Sequence, residues 1–122
     1  MPGEVKFKFD ESRNILFTED NFEIKTEADV ETFFRLNEAE CSKYPSKFYL
    51  VSNINGLKIH AKTITAYGRM GKEMQARYIL GCARYASDPF ARMSIRTAYS
   101  KAGEQAAIYD TKEEALRALG FK

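Results

Sequence analysis

The stretch Lys47–Thr63, KFYLVSNINGLKIHAKT, constrains the fold of this chain more than any other. Its apolar run Phe48–Val51 is bounded by Pro45 on one side and by Asn53, Asn55 and Gly56 on the other. A run this short and continuous fits a strand covered on both faces, because successive side chains point to opposite sides. The Asn-Ile-Asn-Gly that follows is turn chemistry: Asn and Gly tolerate left-handed backbone, and Asn can bond its own main chain. A short basic segment with Lys58, His60 and Lys62 then leads into helical spacing from Thr63. In open α/β sheets a site usually forms outside the carboxyl end of such a strand.

Upstream, Val5–Phe9 alternates apolar and polar residues, the period of a strand with one face in water. A polar turn over Asp10–Asn14 leads to a second short strand, Ile15–Thr18, completing a hairpin. Phe22 and Ile24 alternate with Glu23 and Lys25 and predict a third, exposed strand. Thr26 with Asp29 reads as a capping box opening the first helix. Val30, Phe33, Phe34, Asn37 and Cys41 fall on its inner face, with Glu27, Glu31, Arg35 and Glu38 outside. Tyr44-Pro45 ends it, since proline disfavours helical geometry in the residue before it.

The second helix is expected over about Thr63–Gln75, with Ile64, Tyr67, Met70 or Gly71, and Met74 facing inward. Gly68 and Gly71 each weaken it by roughly 1 kcal/mol relative to alanine, and their spacing permits close packing on the sheet. Tyr78–Ala83 is a second near-continuous apolar strand. Ser87-Asp88-Pro89 starts a third helix, with Phe90, Met93, Thr97 and Ala98 toward the core, Arg92, Arg96 and Lys101 outward, and Gly103 as its stop. Gln105–Tyr109 is the last strand, and Thr111 with Glu114 caps a final helix with Ala115, Leu116 and Leu119 inside, ended by Gly120. This order predicts a single α/β domain over residues 1–122, with a mixed sheet, parallel in its C-terminal part, N-terminal antiparallel strands and about four helices.

That order resembles the STAS fold of the anti-sigma-factor antagonists over nearly the whole length. Asn53-Ile-Asn-Gly-Leu57 resembles the family's Asp-Leu-Ser-Gly-Val turn after the central strand. Tyr109-Asp-Thr-Lys-Glu-Glu-Ala-Leu-Arg-Ala-Leu119 is similar to the F-x-t-x-x-E-A-L-x-W-L ending of a STAS-like subgroup. The resemblance implies a small cytoplasmic regulatory domain that binds a partner protein or ligand and is not an enzyme. Phosphoregulated members carry a serine in Asp-Ser-Ser-Gly at the start of the next helix. Here that place reads Ile59-His-Ala-Lys-Thr63, and only Thr63 offers a hydroxyl, which reads first as a helix cap.

The composition narrows the function classes. At 122 residues and 44% hydrophobic, the chain can bury its own core without a disulfide or metal. Cys41 and Cys82 both sit in apolar patterns and read as core residues. His60 is the only histidine, no P-loop or dinucleotide glycine pattern is present, and nothing calls for a metal or cofactor. The first residues carry no apolar signal segment and no run approaches a membrane span, so the chain reads as cytoplasmic.

Net charge is only +2, yet Lys58–Lys101 carries nine basic residues against two acidic ones. That asymmetry can make one face basic enough to attract an anionic partner: an acidic protein surface, a phosphate or a lipid headgroup. The loop end of the sheet collects Asn53, Asn55, Lys58, His60, Lys62, Thr63, Ser87 and Asp88, and the second helix adds Arg69 and Lys72 as the expected partner-binding set. Nucleic acid is disfavoured, because tyrosines 67, 78, 85 and 99 interleave with arginines but fall on buried or boundary positions. The alternative is a lipid or other apolar small molecule between helices and sheet, suggested by Phe33, Phe34, Met70, Met74 and Met93. An exposed N-terminal edge strand would allow a homodimer, although Lys6 and Lys8 are typical edge protection.

Overall fold

The computed structural model describes residues 3–122. Strand β1 (Gly3–Asp10) and strand β2 (Ile15–Ile24) form the expected antiparallel hairpin. Helix α1 (Glu27–Cys41) follows, then β3 (Phe48–Asn53), β4 (Leu57–Ile59) and a 3-10 turn at Ala61–Thr63. The chain continues through α2 (Ile64–Tyr78), β5 (Ile79–Tyr85), α3 (Pro89–Lys101), β6 (Ile108–Tyr109) and α4 (Lys112–Ala118). The sheet runs β1-β2-β3-β5-β6, with β4 attached to β2, and every pairing except β1–β2 is parallel. The α/β class, mixed sheet and four helices agree with the sequence.

The expected second and third strands are one strand. β2 runs without a break to Ile24, and Phe22 and Ile24 are buried core residues instead of an exposed pair. They are buried because the basic segment after the Asn-Gly turn is itself a strand: Leu57, Lys58 and Ile59 pair with Phe22, Glu23 and Ile24. β3 occupies the first half of the same edge, from Ile15 to Glu19. β3 and β4 thus form one interrupted strand alongside β2, and Asp20 and Asn21 lie at the interruption with no cross-strand partner on that side.

On one face α1, α2 and α3 bury Phe22, Ile24, Val30, Phe33, Leu57, Tyr67 and Ile95. On the other, the short α4 covers Ile15, Val51 and Ala83 with Ala115 and Leu116. Helix α1 follows the sequence closely: Thr26 and Asp29 form the full capping box, and the five inward residues are the five expected. It stops at Cys41, three positions before Tyr44, whose hydroxyl hydrogen-bonds Glu40.

Helix α3 is rotated from its expected phase. Phe90 and Met93 are 53% and 54% exposed, while Ala91, Ser94, Ile95, Ala98 and Tyr99 face inward. The reason is α2. Its Gly68 lies against the Ala98 carbonyl and its Gly71 against the Tyr99 hydroxyl, so a methyl group on either would collide. These contacts hold Ala98 and Tyr99 of α3 inward, which leaves Phe90 and Met93 on the outer side of the helix. The two glycines therefore serve a helix–helix contact and not the helix–sheet packing that their spacing suggests. The last strand is also shorter than Gln105–Tyr109, because only Ile108 and Tyr109 pair with β5. β1 is the free edge, with Lys6 and Lys8 exposed.

The glycine contact makes a direct prediction. Gly68→Ala improves intrinsic helix propensity by about 1 kcal/mol, but it overpacks against a backbone carbonyl that has no side chain to move. Urea denaturation is expected to show a net loss of about 1–3 kcal/mol, and an unchanged or raised midpoint would contradict the packing account.

Candidate functional site

The carboxyl ends of β3 and β5 bring the expected loop residues together, but several of them do internal work. Asn53 Oδ1 accepts from the Asn55 amide at 3.0 Å. Asn55 Oδ1 in turn accepts from the Ser87 amide at 2.9 Å, the Asp88 amide at 3.1 Å and the Ser87 hydroxyl at 3.3 Å. One amide side chain therefore ties the β3–β4 loop to the turn entering α3. Asp88 caps α3 by accepting from the Phe90 amide, with Pro89 in the first turn, as the sequence indicates. Buried Ile54 seals the loop from below, its amide bonded to the Tyr85 carbonyl.

Thr63 does not cap α2 with its side chain. It is 1% exposed, and its hydroxyl donates to the His60 carbonyl at 2.8 Å. A kinase cannot reach that hydroxyl in this arrangement, so Thr63 here is a structural residue. The His60 ring lies 2.9 Å from Glu23 on β2. This contact, with Lys25 and Lys58 nearby, lowers the Glu23 pKa below its ordinary value. Lys72 donates to the Ala102 carbonyl at 3.0 Å, closing the end of α3. Lys58, Lys62 and Arg69 are exposed, and none has an acidic partner within 4.0 Å among the described residues. The basic excess is partly spent inside the fold: Arg77 pairs with Glu38, Arg92 with Asp110, and Arg84 is buried.

Arg84 belongs to a second constellation, which the sequence reading missed. Thr18, Ser52 and Arg84 are register partners across β2, β3 and β5, all on the face beneath α1 and α2. Asp20 stands two residues beyond Thr18 on the same face, at the interruption between β3 and β4. All four are buried, at 4%, 4%, 6% and 6% exposure for Thr18, Ser52, Arg84 and Asp20. The Thr18 hydroxyl donates to Ser52 at 2.8 Å. Arg84 donates to the Tyr99 hydroxyl at 2.7 Å, with its guanidinium carbon 4.4 Å from that ring's centroid. The second acid–base partner never arrives: no nitrogen of Arg84 comes within 4.0 Å of Asp20, and Asp20 Oδ1 has no hydrogen-bond partner.

Asp20, Ser52 and Arg84 line a cavity of about 30 Å³ beneath α1 and α2, together with Phe33, Phe34, Tyr67 and Met74. Asn37 and Gln75 also line it. An acyl chain does not fit a space of that size, and Met93, one of the residues behind the apolar-ligand expectation, lies on the outer surface of α3. Signals for the cluster were present in the sequence: Arg84 is a charge inside a continuous apolar strand, and Asp20 interrupts the Leu16, Phe22, Ile24 face at period two.

Among the described residues no group of three His, Cys, Asp or Glu is placed to hold a metal. No helix among them is long and apolar enough to cross a membrane. No protein-family model matches the chain, and no curated protein matches its sequence.

Burial pushes the Asp20 carboxyl from 3.8 up to about 6, against the opposing pull of the Thr18 hydroxyl and the charge of Arg84. The folded chain therefore binds this proton more tightly than the unfolded chain. Its contribution favours folding at low pH and is lost as pH rises through about 6. The effect of Asp20→Asn on stability is expected to be more favourable at pH 7 than at pH 4 by roughly 1–3 kcal/mol. Equal effects at the two pH values in denaturant titrations would contradict this account.

Proposed function

We propose that the chain is a non-enzymatic, STAS-like regulatory domain that binds an acidic protein surface through the loop after β3 and the exposed face of α2. The observation that carries this reading is a set of cations without partners on a rigid support. Lys58, Lys62 and Arg69 stand free on β4, the 3-10 turn and α2. Lys62 lies in the 3-10 turn that leads into α2 and Arg69 in the helix itself, so both belong to the segment after the loop. The loop beneath them is fixed by Asn55 to the α3 entry, and beyond that entry Phe90 and Met93 add exposed apolar area.

The STAS-like part of the reading rests on the Asn53–Leu57 turn, the Tyr109–Leu119 ending and the mixed sheet with four helices. The phosphoswitch is not part of it, because the Thr63 hydroxyl is buried and engaged. A second reading, a small-molecule sensor with its site between helices and sheet, is favoured by one observation: the Asp20 carboxylate is buried beside a cavity with one oxygen unpartnered.

The first reading is tested by Lys62→Glu combined with Arg69→Glu. Both positions are exposed and unpaired, so the double variant is expected to stay within ~0.5 kcal/mol per site of the native stability. Comparative capture from native extract should show at least one stoichiometric partner lost. If the same partners are retained at the same level, this surface is not the docking site.

A further inference from the structure

The Asp20 chamber specifies the chemistry of what it takes. We propose that it is a binding site for a neutral hydrogen-bonding head group, a hydroxyl or a primary carboxamide, held between Asp20 and Arg84. This deepens the sensor reading above and rests on it.

Three observations lead there. Asp20 Oδ1 is a buried acceptor with no protein donor. Arg84 shares the chamber, is 6% exposed, and has a single side-chain hydrogen bond, to Tyr99. Its other N–H groups need acceptors, yet no nitrogen of Arg84 reaches Asp20 within 4.0 Å. A group placed between them must donate to the carboxylate and accept from the guanidinium at once. Hydroxyls and primary carboxamides do both, whereas an ammonium only donates and a carboxylate only accepts.

Charge leads to the same class. Asp20 and Arg84 already compensate each other across the chamber, so a charged head would add an uncompensated charge in a buried space. Size limits the head group further. The cavity of about 30 Å³ is small. Only a head group enters it, and the rest of the ligand stays outside the cavity.

The test is an NMR titration at pH 7.5, above the range in which Asp20 takes up its proton. Four probes share one short chain: propanol, propionamide, propionate and propylammonium. The first two are expected to give saturable shifts at the Asp20, Ser52 and Gly71 amides and the Arg84 side chain, with the charged pair at least about tenfold weaker. Asp20→Asn keeps the shape and removes the compensating charge, leaving Arg84 alone. In that variant propionate should gain at least about tenfold and become the preferred probe. Stronger binding of propionate or propylammonium to the native protein would overturn the neutral-head assignment and leave the pocket reading standing. No shift at these residues with any of the four would overturn both.

Discussion

The hydrogen-bond ladder along Ile15–Ile24 is the constraint on which the rest of the structure depends. One edge of β2 takes β1 antiparallel; the other takes β3 and then β4 in parallel. The two parallel segments cannot be continuous, because the chain leaves the sheet at Ile54 to meet β5 and returns at Leu57. That excursion produces the two distinctive regions of the molecule. Outside, it makes the Asn-Gly loop that Asn55 pins to the α3 entry. Inside, it leaves Asp20 beside a break in the ladder, where neither β3 nor β4 pairs with its backbone.

The buried polar row does not look like a device for stability. Desolvation of Asp20 and Arg84 opposes folding, and their attraction across the chamber lacks the direct contact that makes buried ion pairs break even. Apolar residues at Thr18, Asp20, Ser52 and Arg84 would continue the Leu16, Phe22 and Leu50 surfaces without that penalty. The Arg84 guanidinium gains from Tyr99 both a hydrogen bond and contact with the ring. Asp20 has the pull of the Thr18 hydroxyl, but its Oδ1 has no partner. A fold that keeps such a carboxylate gives up stability at neutral pH, which is the usual signature of a group retained for something it does.

What was legible in the sequence, and what was not, divides along the range of the interactions. The hairpin, α1 with its Thr26–Asp29 box, the Asp88-Pro89 start and the Thr111 cap of α4 are specified by residues within four positions of each other. Local chemistry was enough to read them. β4 was missed because Leu57-Lys58-Ile59 becomes a strand only when Phe22–Ile24 is there to pair with it. The phase of α3 was missed because amphipathic spacing favoured Phe90 and Met93, while Gly68 and Gly71 of α2 seat Ala98 and Tyr99 of that helix. The Asn53–Gly56 turn and the Ser87–Asp88 helix start were legible because turn residues announce themselves. The chamber was not, since Thr18, Asp20, Ser52 and Arg84 meet only through strand register.

Helix α2 belongs to both regions. Its outer side carries Arg69, and the 3-10 turn before it carries Lys62. Its inner side supplies Tyr67, Gly71 and Met74 to the chamber wall. The helix is held by the close contact of Gly68 and Gly71 with Ala98 and Tyr99 of α3. On the readings proposed above, a protein that pulls on Lys62 and Arg69 would act on the same helix that lines the chamber. A head group between Asp20 and Arg84 would act on its other side. If the two ligands prefer different positions of α2, each must alter the affinity of the other by the same factor, since coupling between sites is reciprocal. The two proposed readings of function would then be two faces of one helix.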